Sequence, residues 1–162
     1  MAGSGGAPAS YLVTASPDGA TCTVYAPATS CSISPLTNGT SYTFSATATN
    51  STGTSAAATS AAVTPAGKPD APTGVNAVSG NGSATVSFVA PIVTGGPAIA
   101  SYTVTASPNG ATCTVNAPAT SCVVPGLTNG TAYTFAVTAN NGLFTSSAST
   151  ASSSVVPSTV PD

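Results

Sequence analysis

Residues 11–55 recur at 102–146, an offset of 91, with 31 of 45 positions identical. Self-similarity at a fixed period means that one structural unit has been copied, and it restricts the fold more than any other feature of this chain. Tyr11 aligns with Tyr102, Cys22 with Cys113, Cys31 with Cys122, Tyr42 with Tyr133 and Phe44 with Phe135. One unit is then about 90 residues long, the size of a small β-sandwich. The stretch A-G-K-P-D-A-P at 66–72 lies between the copies and reads as a short linker.

Within the second copy, apolar and polar residues alternate in short runs that end at turns. Ala84, Val86 and Phe88 share one face of a run that begins after the turn S-G-N-G-S and stops at Pro91. Tyr102, Val104 and Ala106 alternate with Thr103 and Thr105 up to S-P-N-G. Cys113 and Val115, then Cys122 and Val124, form shorter runs. Tyr133, Phe135, Val137 and Ala139 face one side after T-N-G-T, and a last Ser/Ala/Val run reaches Val156. With Val75 and Ala77 at the start, this predicts seven strands. No segment carries a helical period of apolar residues.

Leu127-T-N-G-T-x-Tyr133-x-Phe135 resembles the tyrosine corner of the fibronectin type III family, and Leu36-T-N-G-T-x-Tyr42-x-Phe44 repeats it. P-D-A-P-T at 69–73 is similar to that family's opening strand, and Phe88 stands where the family usually buries a Trp. The resemblance implies an all-β fold of two Ig-like sandwiches in tandem. It also implies that the hydroxyls of Tyr42 and Tyr133 bond back to backbone upstream. The Thr/Ala-rich wording is most like tandem copies in secreted bacterial proteins. The expected layout is an incomplete sandwich of about five strands at 1–66, a linker at 67–71 and a complete seven-stranded sandwich at 72–162.

The four cysteines form two identical C-T-V-x-A-P-A-T-S-C pairs. Metal or redox motifs use C-x-x-C spacing or His ligands, and the chain has neither. The reading is one structural disulfide per unit, Cys22–Cys31 and Cys113–Cys122, formed in an oxidising compartment. An extracellular or cell-surface location follows as the expectation.

Composition narrows the function classes. The only charged side chains are Lys68, Asp18, Asp70 and Asp162, and there is no His. General acid–base catalysis has almost nothing to draw on, so no enzyme is expected. A single Lys cannot make the basic stripe of a nucleic-acid binder. No cofactor is implied, and no run approaches the roughly 20 apolar residues of a membrane helix. Of the four sequons, at Asn38, Asn50, Asn81 and Asn129, the two in T-N-G-T turns (Asn38 and Asn129) read first as turn chemistry. Residues 1–10 have neither a basic start nor an apolar centre, unlike a signal peptide. Tyr25 and Phe144 fall off the alternating pattern, where the other copy has Asn116 and Gly53, and are the candidates for a contact surface.

The two copies differ in one respect. Two strands, at 72–90, precede Tyr102, whereas residues 1–10 before Tyr11 match only the loop at 93–101. The first unit therefore lacks two strands, and Tyr11, Val13, Leu36, Tyr42 and Phe44 should border an open apolar face and edge. Three explanations stand side by side: the chain is a piece of a longer array, another copy supplies the strands, or the hairpin at 72–90 folds back onto the first unit. Two functions are expected from this. One is an extracellular structural module of a stalk, array or filament, with other copies of itself or flanking repeats as partners. The alternative is an accessory domain of a secreted enzyme that binds surface polysaccharide.

Overall fold

The computed structural model describes residues 6–159; residues 1–5, part of the segment matched to the loop at 93–101, and 160–162 lie outside the described residues. The chain divides between Pro65 and Ala66 into two units.

In the first unit, β1 (Ser10–Ser16), β2 (Thr21–Tyr25) and β3 (Thr43–Asn50) are followed by two very short strands, β4 (Gly53–Thr54) and β5 (Ala58–Thr59). They form a single antiparallel sheet in the order β2-β1-β3-β4, with β5 also on β3. The second unit contains β6 (Thr73–Gly80), β7 (Ser83–Val89), β8 (Ser101–Ser107), β9 (Thr112–Asn116), β10 (Ser121–Pro125) and β11 (Thr134–Asn140). These make two three-stranded sheets, β10-β7-β6 and β11-β8-β9. The fold is all-β, as the alternating runs predict, and Ig-like, as the resemblance implies.

The core of the second unit lies between its sheets. Ala84, Val86 and Phe88 come from β7, Tyr102, Val104 and Ala106 from β8, and Phe135, Val137 and Ala139 from β11. Phe88 and Tyr102 meet with ring centroids 4.9 Å apart. Phe88 thus takes the anchor position that the resemblance assigns to it. Burial pushes the Tyr102 phenol above its ordinary pKa.

The final Ser/Ala/Val run departs from a regular strand. The N–H groups of Ser146, Ser149 and Ser152 donate to the carbonyls of Ala139, Val137 and Phe135. In return, the N–H groups of those same residues donate to the Oγ atoms of Ser146, Ser149 and Ser152 at 2.9–3.1 Å. Each Oγ then donates to the carbonyl of the next residue. Three residues of the last segment thus oppose two of β11. A side-chain oxygen fills the place that a backbone carbonyl would hold, so these three N–H groups of β11 are paired. In the first unit Ser55 and Ser60 serve Ala48 and Phe44 in the same way, while Ala58 and Thr59 between them pair regularly.

Residues 67–71 correct the expected linker. Gly67 N–H donates to Gly95 O and Asp70 N–H to Val93 O, and Asn141 Nδ2 donates to Gly67 O and Thr94 O. Pro69 is buried. Gly95 has φ of 79°, and a Cβ there would collide with the Gly67 carbonyl, so only glycine admits this close approach. The segment is therefore an edge of the second unit. Composition misleads here because proline marks linkers and sheet edges alike: both are places where a missing N–H does no harm.

Candidate functional site: the open face of the first unit

Unit one is a half-sandwich. Its strands β1, β2 and β3 correspond by the repeat to β8, β9 and β11, and among the described residues nothing corresponds to β6 and β7. The inner face of its one sheet is consequently exposed as a groove of about 520 Å³. Tyr11, Val13, Val24, Phe44 and Ala46 form its floor, and Thr29, Ser30, Cys31 and Ile33 one wall.

Burial records the difference. Tyr102 and Phe135 are 3 % and 0 % exposed, whereas their counterparts Tyr11 and Phe44 are only half-buried. Among the described residues of the first unit, Ala15 and Tyr42 are the only fully buried apolar side chains. The expected open face at Tyr11, Val13 and Phe44 lies along this groove. Leu36 and Tyr42 do not line it. Leu36 is half-buried, and Tyr42 is tied down at the corner below. Val24 and Ile33 belong to the groove but carry too little pattern in the sequence to single out.

A second feature accompanies the groove. Residues 121–125 form β10 because they pair with β7, with Cys122 opposite Val86 and Val124 opposite Ala84. The matching residues 30–34 form no strand. Strand character needs a hydrogen-bonding neighbour, and this segment has none among the described residues. It is held in place by the Cys22–Cys31 disulfide, whose Cα atoms lie 6.4 Å apart. Cys113–Cys122, at 6.3 Å, joins β9 to β10 and so staples one sheet to the other.

Both tyrosine corners are built. Thr128 N–H donates to the Tyr133 hydroxyl and Thr37 N–H to the Tyr42 hydroxyl, each at 3.1 Å. The third partner differs: Asn109 Nδ2 donates to Tyr133, whereas Tyr42 donates to the Asp18 carboxylate at 2.9 Å. The sequence places Asp18 only in a turn, so its role at the corner is a product of the tertiary fold. Of the proposed contact residues, Tyr25 is 72 % exposed at the end of β2. Phe144 sits beside the more exposed Leu143, in a turn closed by Asn141 Oδ1. They lie in different units and make no common surface within either.

Residues 70–155 match the family model described as Fibronectin type III domain. The chain belongs to the fibronectin type III family. Domains A168–A170 of titin align over 72 % of this chain and 41 % of theirs, with a TM-score of 0.54 and 24 % identity. The chicken CNTN1 FN1–FN3 domains align over 93 % of this chain and 56 % of theirs, with a TM-score of 0.52 and 18 % identity. A two-domain fibronectin type III segment of chicken tenascin is 26 % identical, with a TM-score of 0.47. The titin and CNTN1 alignments attest the fold, and the chain spans about half of those structures or less. No curated protein matches the sequence significantly. As a fibronectin type III protein, the chain is of a structural or adhesion type of module, whose sandwich serves many unrelated roles.

Proposed function

We propose that this chain is an extracellular structural segment of a bacterial surface stalk, array or filament, and that strands from another chain complete its first unit. The observation that carries the reading is the half-sandwich itself. An apolar groove beside an unpaired strand segment is the surface that strand addition uses. Two disulfides per chain fit an oxidising compartment. A chain with only four charged side chains would make contacts between subunits nearly indifferent to salt. The partners are other copies of the chain or flanking repeats. Electron microscopy and light scattering across a concentration series test the reading: filaments or head-to-tail oligomers are the expected result, and a strict monomer at all concentrations removes self-assembly.

The exposure of Tyr25 favours a second reading, adhesion to a surface polysaccharide through aromatic contacts. Retention on insoluble polysaccharide that is lost in a Tyr25→Ala, Phe144→Ala double variant would select it over the structural one.

A further inference from the structure

We infer that the outer face of the first unit's sheet, the side turned away from the groove, binds a neutral polysaccharide laid across the strands, with Tyr25 as the stacking residue. The inference rests on the adhesion reading above, and it names the surface and the class of sugar.

Strand alternation separates the two faces of the sheet. Tyr11, Val24 and Phe44 line the groove, so their strand neighbours Ser10, Leu12, Tyr25 and Thr49 point to the other side. The pairing register sets these residues in rows. Ser10 lies opposite both Tyr25 and Thr49, and Thr49 lies opposite Thr54. Tyr25, Ser10, Thr49 and Thr54 thus form one row across four strands, about 14 Å long at the usual spacing between strands. Leu12 is diagonal to Tyr25, between Thr23 and Thr47 in the next row. Tyr25 is 72 % exposed and Leu12 42 %. At the far end of the row the Oγ1 atoms of Thr49 and Thr54 are 2.9 Å apart. One hydroxyl donates to the other, and the one that accepts keeps its own proton for an outside partner.

The repeat shows that folding does not require this surface. The matching row of the second unit is Asn116, Ser101, Asn140 and Thr145, with Thr103 in the place of Leu12. There the Asn140 amide is already engaged by Thr145 Oγ1. β1, β2 and β3 differ from their copies at Leu12, Tyr25, Ser45, Ala46 and Thr49, and all of these but Ala46 face outward.

The chemistry of the face selects its occupant. Neither row contains a charged residue, so nothing there would hold an ionised ligand. A sugar ring has an apolar C–H face and hydroxyls at its rim, which an aromatic ring beside a row of hydroxyls matches. An added β-strand is excluded because it needs an edge, and these side chains stand on a face. A second copy is disfavoured by area: one Tyr and one Leu make too small an apolar centre for a contact of roughly 800 Å² per partner.

The test incubates the intact chain with insoluble cellulose, chitin and starch, all neutral, and with alginate beads, which are anionic, and measures the unbound fraction across protein concentrations. Saturable retention on at least one neutral polymer and none on alginate is the expected result. Tyr25→Asn should weaken retention roughly tenfold or more, as truncating an aromatic anchor does. Leu12→Thr should weaken it several-fold. Both variants install the residues that the second unit carries at these places, so folding is not at stake. Tyr25→Phe and Phe144→Ala should leave retention nearly unchanged. Retention indifferent to Tyr25→Asn, or a preference for alginate, would overturn this face and leave adhesion standing. No retention on any neutral polymer would overturn both. Self-association that Tyr25→Asn abolishes would give the face to a second copy and overturn the inference.

Discussion

The two units make a near-controlled experiment. Phe44 and Phe135 stand in the same local sequence, Y-T-F, on the same kind of strand, yet one is half-exposed and the other has no exposed surface. Likewise S-C-V-V-P is a strand at 121–125, whereas its counterpart S-C-S-I-S at 30–34 is not. The presence of a second sheet, rather than local sequence, accounts for the first difference, and a hydrogen-bonding neighbour accounts for the second. A β-sheet has two faces and two edges, and a repeat that lacks one hairpin leaves both a face and an edge unserved.

The sharpest way to break this comparison is to truncate the matched aromatics. Phe135→Ala should destabilise the second unit by about 3–5 kcal/mol, because a closed core leaves a cavity behind. Phe44→Ala should cost less than about half as much, since water already reaches that groove. Urea unfolding followed separately in each unit by NMR reads both, and equal losses would mean that the first unit is closed in solution.

Removing the disulfides comes next. Closing a loop of about ten residues contributes about 2.5–3 kcal/mol on the loop-entropy estimate. Cys113→Ser with Cys122→Ser should lower the second unit's stability by about that amount and leave it folded. Cys22→Ser with Cys31→Ser should release residues 30–34, because among the described residues no backbone pairs with that segment. Amide exchange at Ile33 distinguishes the two outcomes.

A smaller effect concerns the last segment. Ser149→Ala strips the acceptor from Val137 N–H, which is part-buried, and should cost about 1–3 kcal/mol. The first unit has Ala58 at the matching position and tolerates it, because Ala58 pairs with Ala46 in regular register. Deleting one residue between Ser146 and Ser152 together with Ser149→Ala should recover part of the loss by restoring that register. Thermal unfolding of the single and combined variants checks this.

The smallest effect is alkaline. Tyr102 has its pKa raised above 10.0 by burial, so the folded state favours the neutral phenol. The resulting stability is fully present below pH 10 and is lost as pH rises through the folded-state value. A spectrophotometric titration should show one tyrosine of the second unit ionising late, together with the loss of structure there.

Much of the fold was legible in the residues. Alternation with period two marked the faces of β7, β8 and β11, because burial between sheets selects every second side chain. The corner motifs marked Tyr42 and Tyr133, because a hydroxyl that bonds to backbone five residues upstream needs that fixed spacing. The alignment of the copies also located the vacancy at Tyr11, Val13 and Phe44. Less visible were the wall of the groove at Ile33, the Asp18 contact to Tyr42, and the attachment of 67–71 to the second unit. Each joins groups distant in sequence through one hydrogen bond or one face. A short polar or proline-rich stretch carries no periodicity to announce such a partner.

Local sequence, then, determined which side of each strand is apolar, where the chain turns and which cysteines can reach each other, since all of these depend on near neighbours. Tertiary structure alone decided whether an apolar side became a core. Burial needs a second layer, and among the described residues one hairpin of that layer stands against two nearly identical faces. The second unit has that hairpin, and the first shows a groove and, among the described residues, a segment at 30–34 that no strand pairs.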